Sequence, residues 1–190
     1  MLIATYIYWG SQIVLMLLLY YFSFKVLLVI YTMTPLYKGK VPYVPTRIKF
    51  LKKGFEMLNI NEGDNVVDIG SGDGRFVIYG ARRVKAKFTG IEINVILWLS
   101  SLVKEFFVRK KGDIVWVHDN YMNVALSEFN KVFLFSTPRQ IKILLSKLRK
   151  ELKPGTLLLS ETFPLKVSSF RLVEEFCHKN HKLYLYERVG

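Results

Sequence analysis

The residues whose types and spacing can do chemistry lie in Val66-Val67-Asp68-Ile69-Gly70-Ser71-Gly72-Asp73-Gly74-Arg75 and, further on, in Thr89-Gly90-Ile91-Glu92-Ile93-Asn94. An apolar run entering a glycine turn reads as a buried strand followed by the start of a helix, and Glu92 closes a second strand of the same kind. Glycines at 70, 72 and 74 let the backbone turn sharply and approach a ligand where a Cβ would intrude. Glu92 stands where a carboxylate accepts hydrogen bonds from a ribose diol. A glycine turn that merely joins a strand to a helix needs none of Asp68, Asp73 and Glu92, so the combination describes a nucleoside-cofactor site.

The third position decides which nucleoside. A dinucleotide fingerprint needs glycine at 75, where this chain has Arg75. Pyrophosphate on the helix N-terminus is disfavoured, and the carboxylates of Asp68 and Asp73 would repel it further. A cationic ligand suits them better. S-adenosyl-L-methionine carries a sulfonium and an ammonium, has no phosphate, and still offers a ribose diol to Glu92.

Methyl transfer to an amine is an in-line displacement that needs a neutral nucleophile, a near-attack geometry and exclusion of water, with no covalent nucleophile from the protein. Phe135-Ser136-Thr137-Pro138 stands where an Asn-Pro-Pro-Tyr type sequence would mark adenine, cytosine-N4 or glutamine-amide methylation. The single cysteine, Cys177, lies far from this segment, which excludes cytosine-C5 chemistry. Cys177 also allows no internal disulfide, and a reducing compartment is acceptable. With His178 and His181 it makes a compact cluster lacking a carboxylate or fourth ligand, which reads as a solvated turn and not as a metal site. No metal is expected.

The elements that must position these residues follow from periodicity. Thr46 can cap a helix with apolar positions Ile48, Leu51, Phe55 and Leu58, ending near Asn59. After the glycine loop a helix is predicted to about Arg83, then a strand from Lys87 to Ile93. Asn94 caps a long helix to about Lys111. Further strands are expected at Ile114–His118, Lys131–Phe135 and Gly155–Ser160, with Thr137-Pro138 opening a helix before Leu152. The lysine run at 147–153 reads as its solvated end. Phe170–Cys177 and Leu183–Arg188 are too close for a crossover and read as a closing antiparallel pair. The expected fold is α/β, a Rossmann-like doubly wound sheet, mostly parallel.

Ahead of this domain the chain is apolar from Leu2 to Met33, interrupted only by Lys25. About 20 apolar residues span a bilayer, so this segment is long enough for one tilted transmembrane helix. Tyr6, Tyr8 and Trp9 at one end and Tyr31 and Tyr37 at the other resemble interfacial anchors. A cleaved signal peptide would have a basic start and a small-residue cleavage site, and neither is present, so an uncleaved anchor is expected. Lys38, Lys40, Arg47, Lys49, Lys52 and Lys53 follow the span, which by the positive-inside rule places the catalytic domain in the cytoplasm. Of the formal net charge of +13 only Lys25 falls in the first 33 residues, leaving +12 for the remainder. That balance favours anionic lipid headgroups as the simplest partner beside a membrane. The predicted division is residues 1–35 as anchor, 36–63 as a linker and a helix over the cofactor site, and 64–190 as the cofactor-binding domain.

The chain resembles a class I, seven-strand S-adenosylmethionine-dependent methyltransferase. More narrowly it resembles the archaeal broad-specificity protein-lysine methyltransferases and the membrane-anchored mitochondrial lysine methyltransferases. Pro42-Tyr43-Val44-Pro45-Thr46, Asp68 to Arg75, Glu92-Ile93-Asn94, and Glu151-Leu152-Lys153-Pro154-Gly155-Thr156 with Ser160 and Phe163 carry the likeness over residues 41–190. Arg47 stands where the group often has a second proline, and the tail is brief. The resemblance implies a seven-strand sheet, with Asp68 and the backbone of Gly70 and Gly72 at the methionine end of the cofactor, Glu92 at the ribose, and Gly74 also among the cofactor-binding residues. It also implies that Asp119 accepts from the adenine amino group, with Asn120 or Tyr121 supplying backbone contacts. Ser136 and Thr137 end a strand at the edge where open α/β sheets bind ligands, although Thr137 serves equally as a helix cap. Tyr43 is the candidate for lining a lysine channel, against the alternative of an interfacial tyrosine. His118, at a strand end, could be a base for the incoming lysine, with packing beside the adenine as its other reading.

The expected substrate is a protein with accessible lysines at or near the membrane, with nucleic acid not expected. A methyltransferase acting on a membrane lipid, quinone or other small amphiphile, and a non-catalytic cofactor-binding membrane module, are the alternatives. The intact set of Asp68, Glu92 and Asp119 speaks against the last. The helix after Asn94 is apolar around more of its circumference than one core-facing stripe requires, which fits either deep burial or rest on a bilayer.

Overall fold

The computed structural model describes residues 2–37, 43–165 and 167–190. The chain divides into two compact units, Met1–Val44 and Pro45–Gly190.

Among the described residues, the first unit holds one helix, α1 (Leu2–Tyr37), of 36 residues. At about 1.5 Å per residue it is roughly 54 Å long. Its segment Tyr8–Val29, with mean hydropathy 2.0 and none of it buried, is the one helix among the described residues long and apolar enough to cross a membrane. Tyr8 and Trp9 pack edge to face, and Lys25 lies over the Tyr21 ring one turn away, a route by which its stem stays among apolar groups. The side chains of Tyr31, Tyr37, Lys38 and Lys40, and Pro42 of the Pro-Tyr-Val-Pro-Thr segment, lie outside the described residues.

The second unit is built on seven strands. In chain order they are β1 (Asn65–Ile69), β2 (Lys87–Ile91), β3 (Asp113–Val117), β4 (Lys131–Phe135), β5 (Leu157–Glu161), β6 (Phe170–His178) and β7 (His181–Arg188). Their spatial order is β3-β2-β1-β4-β5-β7-β6. The first five are parallel, while β7 is antiparallel to β5 and β6. The expected closing pair is therefore present, and its second strand slots between β5 and β6. The chain winds outward from β1 to β3 and then returns to β4 on the other side of β1. That reversal opens a crevice beyond the carboxyl ends of β1 and β4.

Helices α2 (Ile48–Leu58), α3 (Arg75–Ala81), α4 (Val95–Phe106) and α5 (Pro138–Glu151) complete the unit. Side chains alternate across the sheet, so Val66 and Val67 enter different cores. Val66, Phe88, Phe133, Leu159 and Leu183 pack with Phe50, Leu51 and Leu58 of α2 and Phe76 and Val77 of α3. Val67, Ile91, Leu134 and Leu158 pack with Ile141, Leu144 and Leu148 of α5 on the other side.

Several local expectations need correction. The N-cap of α2 is Arg47 with no side-chain cap bond, because the Thr46 hydroxyl donates instead to Glu161. The buried stripe of α2 is Phe50, Leu51, Gly54, Met57 and Leu58, with Ile48 exposed. Helix α4 ends at Phe106 and not near Lys111. Lys147 is buried and bonds Glu151 at 2.6 Å, one helical turn away, so the lysine run is solvated only in part. Asn94 and Thr137 do cap α4 and α5, the first accepting from the amides of Ile96 and Leu97 and the second from that of Gln140.

Candidate active site

Strand β1 delivers Asp68 on the face shared with Val66, and the loop that follows is stitched to the end of β2. The amides of Gly70 and Ser71 both donate to the Ile91 carbonyl at 2.9 Å. One turn on, the Gly72 amide donates to Glu92 Oε2 at 2.9 Å, and the Asn94 amide donates to Glu92 Oε1 at 2.7 Å. A carboxylate has about four acceptor directions, so these bonds hold Glu92 in place and leave it able to accept from a ligand.

Gly70 and Gly74 differ in what their missing Cβ allows. At Gly70, with φ +79°, a Cβ would meet nothing within 4 Å, so open space lies over this part of the loop. At Gly74, with φ +75°, a Cβ would come within 2.4 Å of the Trp116 ring and 2.6 Å of Ser101. Its amide also donates to the Ser71 carbonyl, so the visible role of Gly74 is close packing of the loop on α4 and β3. Gly72 has φ +58°, again in the left-handed region.

Asp73 does not serve the crevice in the way the sequence suggests. Arg75 grips it with two bonds of 2.8 Å, and Lys104 from α4 reaches the same carboxylate. Burial raises its pKa, but the hydrogen bonds and charges of Arg75 and Lys104 more than reverse this and hold it well below the usual carboxylate range. The charge opposite a cationic ligand has to come from elsewhere.

The other buried carboxylates nearby are Asp68, Glu92 and a residue that the sequence did not single out, Glu161. Glu161, at the end of β5 and fully buried, accepts from the Thr46 hydroxyl at 2.7 Å and pairs with His181 Nε2 from β7 at 2.7 Å. Burial outweighs these bonds and raises its pKa. At Asp68 burial is again the largest influence, and the charges of Glu92, Glu161 and Asp73 add to it, so its carboxyl is raised well above the ordinary value. Burial likewise raises Glu92 in spite of the amide bonds from Asn94, Gly72 and Ile93. A buried Asp68 whose carboxyl is raised by the neighbouring Glu92 and Glu161 charges favours a cation beside it. Arg75, whose Nη1 donates to the Thr46 carbonyl at 2.9 Å, completes a chain of contacts from Asp73 to Thr46, Glu161 and His181. No sequence spacing announces Glu161 and His181, because they meet only through the antiparallel placement of β7. His181 is accordingly a partner of a buried carboxylate and not part of a solvated turn.

Asp119, Ser136 and His118 follow β3 and β4 at the same carboxyl edge of the sheet. Asp119, just beyond β3, is exposed, and its Oδ1 takes the Asn120 amide at 2.6 Å and Asn123 Nδ2 at 2.9 Å. Asn120 Oδ1 takes the Met122 amide at 3.0 Å, closing a compact turn. Ser136 follows β4 and is half-buried. His118 stacks on Trp98 with ring centroids 5.1 Å apart. Tyr43 is half-buried and belongs to the other unit.

Residues 68–169 match the sequence profile of the ANTKMT methyltransferase domain. A protein-lysine N-methyltransferase of Saccharolobus islandicus is 34% identical over 153 residues, 79% of this chain and 95% of that protein. The chain belongs to the ANTKMT methyltransferase family. The adenine nucleotide translocase lysine N-methyltransferase of Mus musculus is 29% identical over 128 residues, 66% of this chain, and the match spans little more than half of that relative, 55%. Among solved structures, an RNA methyltransferase from Salinibacter ruber in complex with S-adenosyl-L-homocysteine superposes with a TM-score of 0.70 at 25% identity, covering 77% of this chain and 94% of that one. The cofactor of this methyltransferase is S-adenosyl-L-methionine. The residues present fit it: open space over Gly70, three buried carboxylates for its positive charges, and a Ser71 hydroxyl that is buried without a hydrogen-bond partner among the described residues.

Proposed function

We propose that this methyltransferase transfers a methyl group to the side-chain nitrogen of protein lysines and does so at a membrane. The observation that carries the reading is the likeness to a protein-lysine N-methyltransferase along 95% of that protein's length. In this reading residues 1–35 form a single-pass anchor with the catalytic domain on the cytoplasmic side. Residues 36–63 link it to the site, and 64–190 hold the cofactor. The substrate is a protein with accessible lysines near the membrane.

Bound S-adenosyl-L-methionine supplies an electrophilic methyl group. Asp68 and the backbone at Gly70 and Gly72 hold its methionine end, Glu92 its ribose, and Asp119 with Asn120 its adenine, while Ser136 lies toward the reacting end. Tyr43 orients the incoming amine, its ring against the alkyl stem or its hydroxyl toward the nitrogen. The apolar walls formed by Phe133 and Phe135 between Asp68 and Glu161 keep water away from the carboxylates.

The test is to reconstitute the full chain in lipid, supply methyl-labelled cofactor and a membrane extract, and follow the label. Label in protein, located by mass spectrometry on lysine nitrogen, is the expected result. Label in the organic phase would instead identify a lipid or quinone acceptor, and no transfer at all would favour a non-catalytic module.

A further inference from the structure

Helix α4 turns only Leu97 and Ser101 fully inward. Val95, Leu99, Val103 and Phe106 recur at helical spacing on the opposite side, where Leu99 is 48%, Val103 59% and Phe106 83% exposed. Phe107, 79% exposed, extends this stripe and packs edge to face on Phe106, and Ile93 at 57% stands just before the helix. Exposed apolar groups scattered singly are ordinary, but a contiguous row with two phenylalanines at its end is not.

The polar surroundings identify what covers it. Arg109, Lys110 and Lys111 follow directly and are exposed. The only acid on α4, Glu105, is 18% exposed and turned aside to accept from Trp116 Nε1 at 2.6 Å and from Lys110. The face is therefore apolar with a basic border, the pattern of a surface that sits at a lipid interface and meets anionic headgroups.

Chain connectivity brings such an interface within reach. Between Val29 at the end of the candidate span and Pro45 at the start of the catalytic unit, α1 runs on to Tyr37. Eight helical and eight fully extended residues cover at most about 40 Å, comparable to the width of a unit whose radius of gyration is about 15 Å. A tether of that length keeps the domain within reach of any bilayer that α1 crosses.

We infer that the exposed face of α4, from Ile93 to Phe107 with the Arg109-Lys110-Lys111 border, docks on an anionic lipid bilayer. It begins beside Asn94 and Glu92, so docking holds the cofactor crevice beside the membrane. The inference rests on the reading of Tyr8–Val29 as a membrane span.

The test uses the full chain in nanodiscs of phosphatidylcholine with phosphatidylglycerol, in a Cys177→Ser background. Single cysteines at Phe106→Cys, Val103→Cys, Tyr20→Cys in α1 and Lys142→Cys in α5 carry a nitrobenzoxadiazole label. The labels at 106 and 103 should emit at shorter wavelength and be quenched by spin-labelled lipid, as should the label at 20, while the label at 142 stays in water. Adding Arg109→Glu with Lys111→Glu, or raising the salt concentration, should reduce quenching at 106 and 103 but not at 20. If the label at 20 is quenched while those at 106 and 103 are not, the anchor stands and docking is wrong. If none is quenched, both readings fall. A wavelength shift at 106 that grows with protein concentration and ignores spin-labelled lipid would mean that a second copy covers the face, which also overturns the inference.

Discussion

Glu92 is already held by the amides of Gly72 and Asn94, with that of Ile93 beside them, before any ligand arrives, so its contribution to binding is one of placement as well as charge. Replacing it with Ala should weaken S-adenosyl-L-methionine binding by about 2–3 kcal/mol, and Glu92→Gln, which retains an acceptor for one amide, should lose less. Titration calorimetry on both variants checks this, and a parent-like affinity in Glu92→Ala with an intact fold would remove Glu92 from the site. Asp68 makes the opposite contribution to stability. Its carboxyl, like those of Glu92 and Glu161, has a raised pKa in the folded chain, so its favourable contribution is complete below about pH 4 and is lost as pH rises through the higher folded value. Asp68→Asn should therefore raise the melting temperature of the cofactor-free protein near neutral pH while abolishing cofactor binding. In the parent, the rise in Tm produced by the cofactor should grow as pH climbs from the ordinary carboxylate range, about 4, towards neutrality, because these carboxyls, whose pKa values are raised in the fold, ionise along the way. A cofactor effect that shrinks over that interval would contradict the assignment. Asp73 runs the other way, losing its stabilising contribution as pH falls below the ordinary carboxylate range.

Helices α2, α3 and α4 hold the crevice through a few close fits. The glycine loop lies against Trp116 and Ser101 at a point where φ is positive and no Cβ has room, so Gly74→Ala combines backbone strain with overpacking. It should destabilise the domain by about 2 kcal/mol or more, read as a lower urea midpoint with unchanged slope. Thr46 joins the segment before α2 to β5 through Glu161. Thr46→Val keeps the shape but leaves a buried carboxylate short of one donor, with an expected cost of about 1–3 kcal/mol. Thr46→Ser should recover most of it. Equal stability in Thr46→Val and the parent would show that His181 alone satisfies Glu161.

The whole molecule separates into an apolar helix and a unit that contains both hydrophobic cores. Residues 45–190 expressed alone should unfold cooperatively and bind the cofactor with parent-like affinity, whereas turnover on a membrane-bound protein acceptor should fall. Tyr43→Ala in the full chain should lower turnover on protein lysines far more than cofactor affinity, because the proposed role concerns the amine and not the donor. Unchanged turnover would leave Tyr43 as an interfacial residue.

The sequence by itself determined the alternation of strands and helices, the caps at Asn94 and Thr137, the glycine loop with Asp68 and Glu92, and the apolar helix ahead of them. These are local properties: periodicity, cap chemistry and turn residues act within a few positions of one another. Where α4 points was not legible, because an all-round apolar helix fits burial and a lipid interface equally, and only its packing on β3 shows which side stays outside. Nor was the fate of Asp73, whose charge is taken by Lys104 from a helix thirty-one positions away. Glu161 and His181 were invisible as a pair. They meet because β7 inserts antiparallel beside β5, and no spacing along the chain encodes a contact that exists only once seven strands have found their order.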